Sequence, residues 1–384
     1  MFFWKTWMPW TGRFFHFNCP LVLPCLILVL PFLRTIDPNE AWQFKTGIAG
    51  MICGILILNL ILRKKNILIP HPGISGPLLM LIAWQSVRAA FSQVPAYALQ
   101  GLNESILFVL LIIASACSGK GRDLTLRVIR LQAWIFFPAF FAVYLRLPQL
   151  FAGYWQFGSL PRMVPGIDPN GFFFFYNQNF CAAFVVLSAL YLFLNGERLL
   201  PALQIILLCF LGNRAALVTI PVVLLSISAV KSGFSKKHFF TVLIAGLLFV
   251  TAVTAFSAGI KSFPSFEHRL IMWKTSFSMF RHAPFSGFGE GGFSVQYPFF
   301  GREFLAINDT YNLTLYPHND FLEILTENGI PGLALLLFIY WRIFSRTRLE
   351  TAAMFLAAGI FSLFSMPRHM AMVILTLAVV LADD

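Results

Sequence analysis

Apolar runs of about 17–22 residues recur along the 384-residue chain with few charges inside them, each long enough to cross a hydrocarbon layer as an α-helix. The chain is 58% hydrophobic and only 11% charged, where soluble domains average about 45–50% apolar and about 25% charged. A water-soluble core cannot absorb that excess. Period-two alternation is absent, which argues against an outer-membrane barrel. The fold class that follows is an all-α polytopic membrane protein, a single integral-membrane domain over residues 1–384. The runs fall at 17–33, 46–62, 76–94, 102–118, 131–147, 179–195, 199–212, 215–230, 239–257, 330–345, 351–366 and 368–382, about twelve spans.

Basic residues set the orientation. With the N-terminus inside, sixteen of the 28 lysines and arginines fall in cytoplasmic loops. Of the other twelve, five lie in the long 258–329 segment, where the positive-inside rule does not count them, leaving seven. Both termini are therefore expected inside, and the passages 148–178 and 258–329 outside. The start, "MFFWKTWMPWTGRFFHFNCP", is basic without a small-residue cleavage site and reads as an uncleaved signal anchor. Cys19, Cys25, Cys53, Cys117, Cys181 and Cys209 are scattered through apolar segments without CxxC spacing, so they read as small packing residues. The net charge of +12 forms no basic stripe interleaved with aromatics, which excludes a nucleic-acid partner.

The outer passage 258–329 has helical patterning. Phe266, Leu270, Trp273, Phe277 and Phe280 form an apolar stripe opposite Lys274, Ser278 and Arg281, the spacing of an amphipathic helix lying on a membrane surface. Asp320 and Glu323 have the spacing of a capping box, and Gly329 with Pro331 ends the short helix that it opens. "GFGEGGF", residues 287–293, follows no predicted strand and reads as a flexible turn rather than a phosphate loop. No Walker A, His-Glu-x-x-His or Gly-x-Ser-x-Gly signature occurs.

Three polar residues share the outer side: Arg214 in "GNRAAL", Arg269 on the amphipathic helix, and His318 just before the capped helix. Singly, each has an ordinary structural reading: a snorkelling arginine, a headgroup-facing arginine, a histidine near a helix start. Together they suit one reaction. Arginine's planar fork grips phosphate oxygens bidentately. A sugar linked through pyrophosphate to a lipid already has a good leaving group, and the incoming hydroxyl needs only a base such as neutral histidine. Within or near the spans, Arg88 and Glu104 are the ionisable groups singled out; they pair with each other or line a cavity, where Arg88 would meet substrate.

His318-Asn319, nine residues, Gly329, two residues and Gly332 resemble the pattern His-[Asn/Ser/Gln]-x9-Gly-x-x-[Gly/Thr/Tyr] of the O-antigen ligase and polymerase superfamily. "GNRAAL" resembles that family's arginine-bearing turn, with Asn213 where serine is more usual. "HRLIMWKTSFSMFRHAPFSGFGEGGF" resembles its arginine–tryptophan helix followed by Pro-x-x-Gly-x-Gly, and "FFFFYNQNFCAAF" its Asn-Pro-Asn helix start, with Gln178 in the proline's place. The likeness runs over roughly residues 165–365. It implies a large periplasmic loop and glycosyl transfer from an undecaprenyl-diphosphate-linked glycan, without metal or other cofactor, at the bacterial inner membrane. It makes Arg214, Arg269 and His318 the catalytic set, with Arg88, Asn179, Asn319 and Glu323 as substrate-binding candidates.

The leading expectation is an O-antigen ligase that delivers the glycan to lipid A–core among membrane lipids. An O-antigen or exopolysaccharide polymerase, or an oligosaccharyltransferase acting on protein hydroxyls, would share the motif. Protein-directed members usually have a longer C-terminal region than one ending at Asp384. A transporter of lipid-linked sugars would need ionisable groups or broken helices near the midplane. The topology is testable. Single cysteines at Ser294 and Asn308, in a background lacking native cysteines, are expected to react with a membrane-impermeant thiol reagent in spheroplasts, whereas one at Ser235 is not. Labelling at Ser235 alone would reverse the orientation.

Overall fold

The computed structural model describes residues 47–52, 54–57, 72–92, 95–118, 121–144, 178–211, 213–256, 264–303, 314, 316–382 and 384. The expected anchor, the span 17–33, most of the loop 148–178, and Cys19, Cys25 and Cys53 lie outside them. Among the described residues the chain is all-helical with no strand. We label its helices from residue 72 onward: α1 Pro72–Ala90, α2 Pro95–Ser118, α3 Gly121–Tyr144, α4 Gln178–Leu194, α5 Leu199–Leu211 and α6 Arg214–Lys231. Then follow α7 His238–Phe256, α8 Pro264–His282, α9 Gly292–Phe300, α10 Asp320–Arg346, α11 Leu349–Ser362 and α12 Ala371–Ala382. Every apolar run expected from residue 76 onward coincides with a helix. By length and composition, α6 and α10 are apolar and long enough to cross a membrane.

Apolarity on all sides puts α4, α11 and α12 at the centre, where nearly every described residue of each is buried. Around them, α5, α6 and α7 turn large apolar side chains outward: Phe210 on α5, Leu225 on α6, Leu248 and Phe249 on α7. Hydroxyls inside the helices satisfy themselves by bonding the carbonyl four residues back, as at Thr219, Thr254, Ser276 and Thr326. The two ends of the bundle differ in charge. Arg342 donates to the Gly73 carbonyl at 2.9 Å, Lys236 to that of Thr347, and Arg348 pairs with Asp384, so the basic residues of the expected inner loops gather at one end. His318 lies at the other.

The longest helix is broken. At Gly329 of α10, φ is 66° and ψ −167°, outside helical space. A side chain there would run into the Phe285 carbonyl, so only glycine fits. The break, with Pro331 lacking an N–H, strands the carbonyls of Thr326, Glu327 and Asn328, which must be bonded if buried. The chain solves this with the glycine-rich loop. Phe288 N–H donates to Thr326 and Gly289 N–H to Glu327, both at 2.9 Å, and the Trp84 indole of α1 takes Asn328 at 2.9 Å. In return, Ile330 N–H donates to the Pro284 carbonyl at 2.9 Å.

Two expectations are corrected here. "GFGEGGF" is a built partner of α10 and not a free turn; Gly287, at φ 63°, sits where a Cβ would strike the Glu327 backbone. The stripe on α8 faces protein rather than a membrane surface. Leu270 and Trp273 are buried, and Phe266, Phe277 and Phe280 pack against the core, because α8 lies against α10. Replacing Gly329 with alanine forces a β-carbon into left-handed backbone against a carbonyl. A loss of stability of order 1–3 kcal/mol is expected, read as a lower apparent melting temperature of the purified protein.

Candidate active site

His318 has φ 52°, a left-handed backbone that residues with a β-carbon rarely adopt, and it is the only such non-glycine among the described residues. Its neighbours hold it on both sides. The Trp273 indole of α8 donates to the Pro317 carbonyl at 3.1 Å. Asn319, fully buried, caps α10 by accepting from Leu322 N–H at 3.0 Å and donates to the Leu363 carbonyl at 3.0 Å. The cap is thus Asn319; the expected box of Asp320 and Glu323 does not form, because both carboxylates are engaged elsewhere. The imidazole is half-buried, and its Nδ1 is buried without a hydrogen-bond partner.

Burial lowers the His318 pKa to about 4, helped by Arg269 and opposed by Glu323. The histidine is therefore neutral at pH 7. Arg269, half-buried on α8, is itself desolvated, and burial lowers its pKa from the ordinary value. The guanidinium remains charged at any physiological pH. A desolvated cation within electrostatic reach of a neutral imidazole offers one group to bind an anion and another to take up a proton.

Below His318 lies a buried ionic network that sequence reasoning missed. Glu290, from the glycine-rich loop, accepts from Gln85 and from Asn328 at 2.7 Å each, and from Arg368 at 3.1 Å. Arg368 also stands 3.6 Å from Glu323. His369 places its two nitrogens 2.6 Å from Glu104 and 2.8 Å from Glu323. Asp320 accepts from the Ser362 hydroxyl at 2.7 Å and from Arg368 N–H at 3.1 Å. Glu327 accepts from Phe293 N–H at 3.2 Å. The network ties α1, α2, α10, the loop before α9 and the turn Pro367–His369 to one another.

Arg368 and His369 interrupt an apolar run within "SMPRHMAMV". A charge pair inside a predicted span was the available signal. Asp320, Glu323 and His369 bring one metal-ligand atom each within 4.8 Å of one another. Both His369 nitrogens already face carboxylates, leaving no lone pair for a metal, while Arg368 supplies positive charge in the same place. The donor set fits an ionic network better than a metal centre. A cavity of about 140 Å³ adjoins it, with apolar walls from α1, α2, α10, α11 and α12 and with Gln85, Glu104, Asp320 and Arg368 among its polar lining.

The remaining candidates divide. Arg214 is exposed as the first residue of α6, apart from the buried set. Asn179 accepts from Asn213 at 2.7 Å, and Asn213 caps α6 through Ala216 N–H at 2.9 Å, so this pair ties the starts of α4 and α6. Arg88 and Glu104 do not pair with each other. Arg88 donates to the Gly287 carbonyl at 3.1 Å and holds the glycine loop, while Glu104 faces His369.

A model of the O-antigen ligase family matches residues 182–337, from α4 to the middle of α10. That region holds Arg214, Arg269, Trp273, His318 and the break at Gly329; Glu104, Arg368 and His369 lie beyond it. No curated protein matches the chain. The network makes its own prediction. Arg368→Met leaves carboxylates buried without their partner and is expected to cost about 3–5 kcal/mol. The double variant Arg368→Met/Glu290→Met is expected to recover part of that loss in thermal unfolding of the purified protein.

Proposed function

Membership of the O-antigen ligase superfamily, which that match supports, is the premise from which we propose that this chain is a membrane glycosyltransferase. It takes a glycan from an undecaprenyl-diphosphate carrier and gives it to a hydroxyl, with lipid A–core as the preferred acceptor. The observation that carries the reading is a neutral, desolvated His318 at the head of a broken helix, within electrostatic reach of Arg269.

In this reading the acceptor oxygen attacks the anomeric carbon while its proton passes to the imidazole of His318. The bond from that carbon to the diphosphate oxygen breaks, and its electron pair leaves with the lipid diphosphate. Arg269 neutralises the departing charge, joined by the exposed Arg214 when substrate is bound. The proton then passes from His318 to water. Asn319 and Glu323 orient the base through the α10 cap and the ionic network. Asn179 and Arg88 act as scaffold, holding the helix starts and the glycine loop.

The apolar perimeter of α5, α6 and α7 supports insertion in the bacterial inner membrane. Basic residues at the end opposite His318 support cytoplasmic termini and a periplasmic site. Acceptor choice is read by deleting the gene and analysing surface glycan. Long polymer retained on its lipid carrier, with none on lipid A–core, marks a ligase; loss of polymer length marks a polymerase.

The chemistry is read from variants at equal membrane abundance. His318→Gln keeps size and hydrogen bonding but takes no proton, and is expected to lower transfer by about 10²–10⁴-fold. Arg269→Lys is expected to fail nearly as badly as Arg269→Ala, since an ammonium does not reproduce the planar fork. Near-normal transfer by either variant overturns its assigned role. The sign of the pH effect follows from the lowered pKa: His318 is neutral above about 4 and charged only below it. The acid limb of kcat/KM therefore lies near pH 4 rather than at the ordinary histidine value.

A further inference from the structure

Left-handed backbone at a histidine needs restraint from outside its own loop. Asn319 supplies it on the C-terminal side. On the N-terminal side the restraint is the Trp273 indole, whose N–H donates to the Pro317 carbonyl. That carbonyl belongs to the peptide unit whose plane fixes φ of His318. The bond therefore acts on the very torsion that is strained.

Trp273 is also placed to report on Arg269. The two residues are one turn apart on α8, on the same face of the helix. The indole is 1% exposed, edge-on to Phe266 at 6.3 Å between centroids and 6.4 Å from Phe364, in the segment leading to Arg368 and His369. One rigid side chain thus touches the helix of the arginine, the peptide of the histidine and the junction that carries the ionic network. If filling space were its whole task, a phenyl ring would do; the N–H is spent on the one carbonyl that precedes the strained residue.

We propose that Trp273 is a positioning residue that locks Arg269 and His318 into one unit, fixing the distance between the phosphate-facing cation and the base. The inference rests on the glycosyl-transfer reading. The charges that face His318 are Arg269 from α8, Glu323 from α10 and His369 from the turn before α12. Glu323 and His369 are tied to each other and to Arg368, so loosening the indole bond frees only the Arg269 relationship.

The test uses full-length protein in lipid nanodiscs with a lipid-diphosphate-linked glycan and a hydroxyl acceptor. Trp273→Phe keeps the ring but loses the N–H. It is expected to lower kcat by about 10²-fold, the usual cost of misplacing a reacting group by an ångström, with donor KM unchanged. Its acid limb is expected to move up from near pH 4, because Arg269 no longer holds the imidazole's proton affinity down. Phe266→Leu is the packing control: it removes an edge contact, leaves the indole bond, and is expected to keep the wild-type acid limb. Wild-type kcat and acid limb in Trp273→Phe, or the same upward shift in Phe266→Leu, overturn the proposal. If His318→Gln is inactive while Trp273→Phe is normal, this inference fails alone; if His318→Gln is active, the underlying reading fails with it.

Discussion

A helix that breaks inside a buried bundle must find partners for the carbonyls it releases, and the rest of this site follows from that demand. Gly329 and Pro331 free three carbonyls of α10. Two are taken by the glycine-rich loop and one by Trp84, which fixes the loop against α1 and α10 together. The loop brings Glu290 with it, and Glu290 draws in Gln85, Asn328 and Arg368. From Arg368 and its neighbour His369 the network reaches Glu104 and Glu323. The head of α10, and with it His318, is thereby anchored to elements distant in sequence. A straight helix would need none of these partners and would position none of them.

Electrostatics divides the region into two layers. The deeper layer holds five carboxylates, Glu104, Glu290, Asp320, Glu323 and Glu327, against Arg368 and His369. Fixed charges in a medium of low polarity interact strongly, and their value is geometric: each ion pair tolerates little displacement of the helices it joins. The upper layer holds His318 and Arg269, where desolvation keeps the imidazole neutral and leaves the guanidinium short of water. A base in its unprotonated form and a cation waiting for an anion are what a displacement reaction with a phosphate leaving group needs. Glu323 belongs to both layers, since it pairs with His369 and acts electrostatically on His318.

Much of this was legible in the sequence, because apolar runs of spanning length have few folds open to them. The helices from residue 72 onward follow those runs closely, and the motif around His318 pointed to the head of α10. Pairings between distant segments were not legible. Asp320 and Glu323 have capping-box spacing, yet Asn319 caps the helix because the Ser362 hydroxyl and the Arg368 backbone N–H claim Asp320, and Arg368 and His369 claim Glu323. The glycine loop looked flexible because its partners are backbone carbonyls exposed only by the break in α10. Arg88 and Glu104 looked like mates because both are charges in apolar segments. Each instead found a partner roughly 200 residues or more away in sequence: the Gly287 carbonyl and His369. Arg368 and His369 were visible as charges in an apolar run, but their role depends on a network no local pattern encodes.

The central claim is that a hydroxyl displaces lipid diphosphate in one step, with His318 taking the proton and no side chain bonded to the sugar. Single displacement inverts the anomeric carbon. The most direct measurement is therefore the anomeric configuration of the product, read by NMR after the purified chain has acted on a lipid-diphosphate-linked glycan of defined configuration. The account predicts inversion, with one lipid diphosphate released for each glycosidic bond formed. Retention of configuration would contradict it, because a hydroxyl that attacks from the side opposite the departing diphosphate can only invert the anomeric carbon.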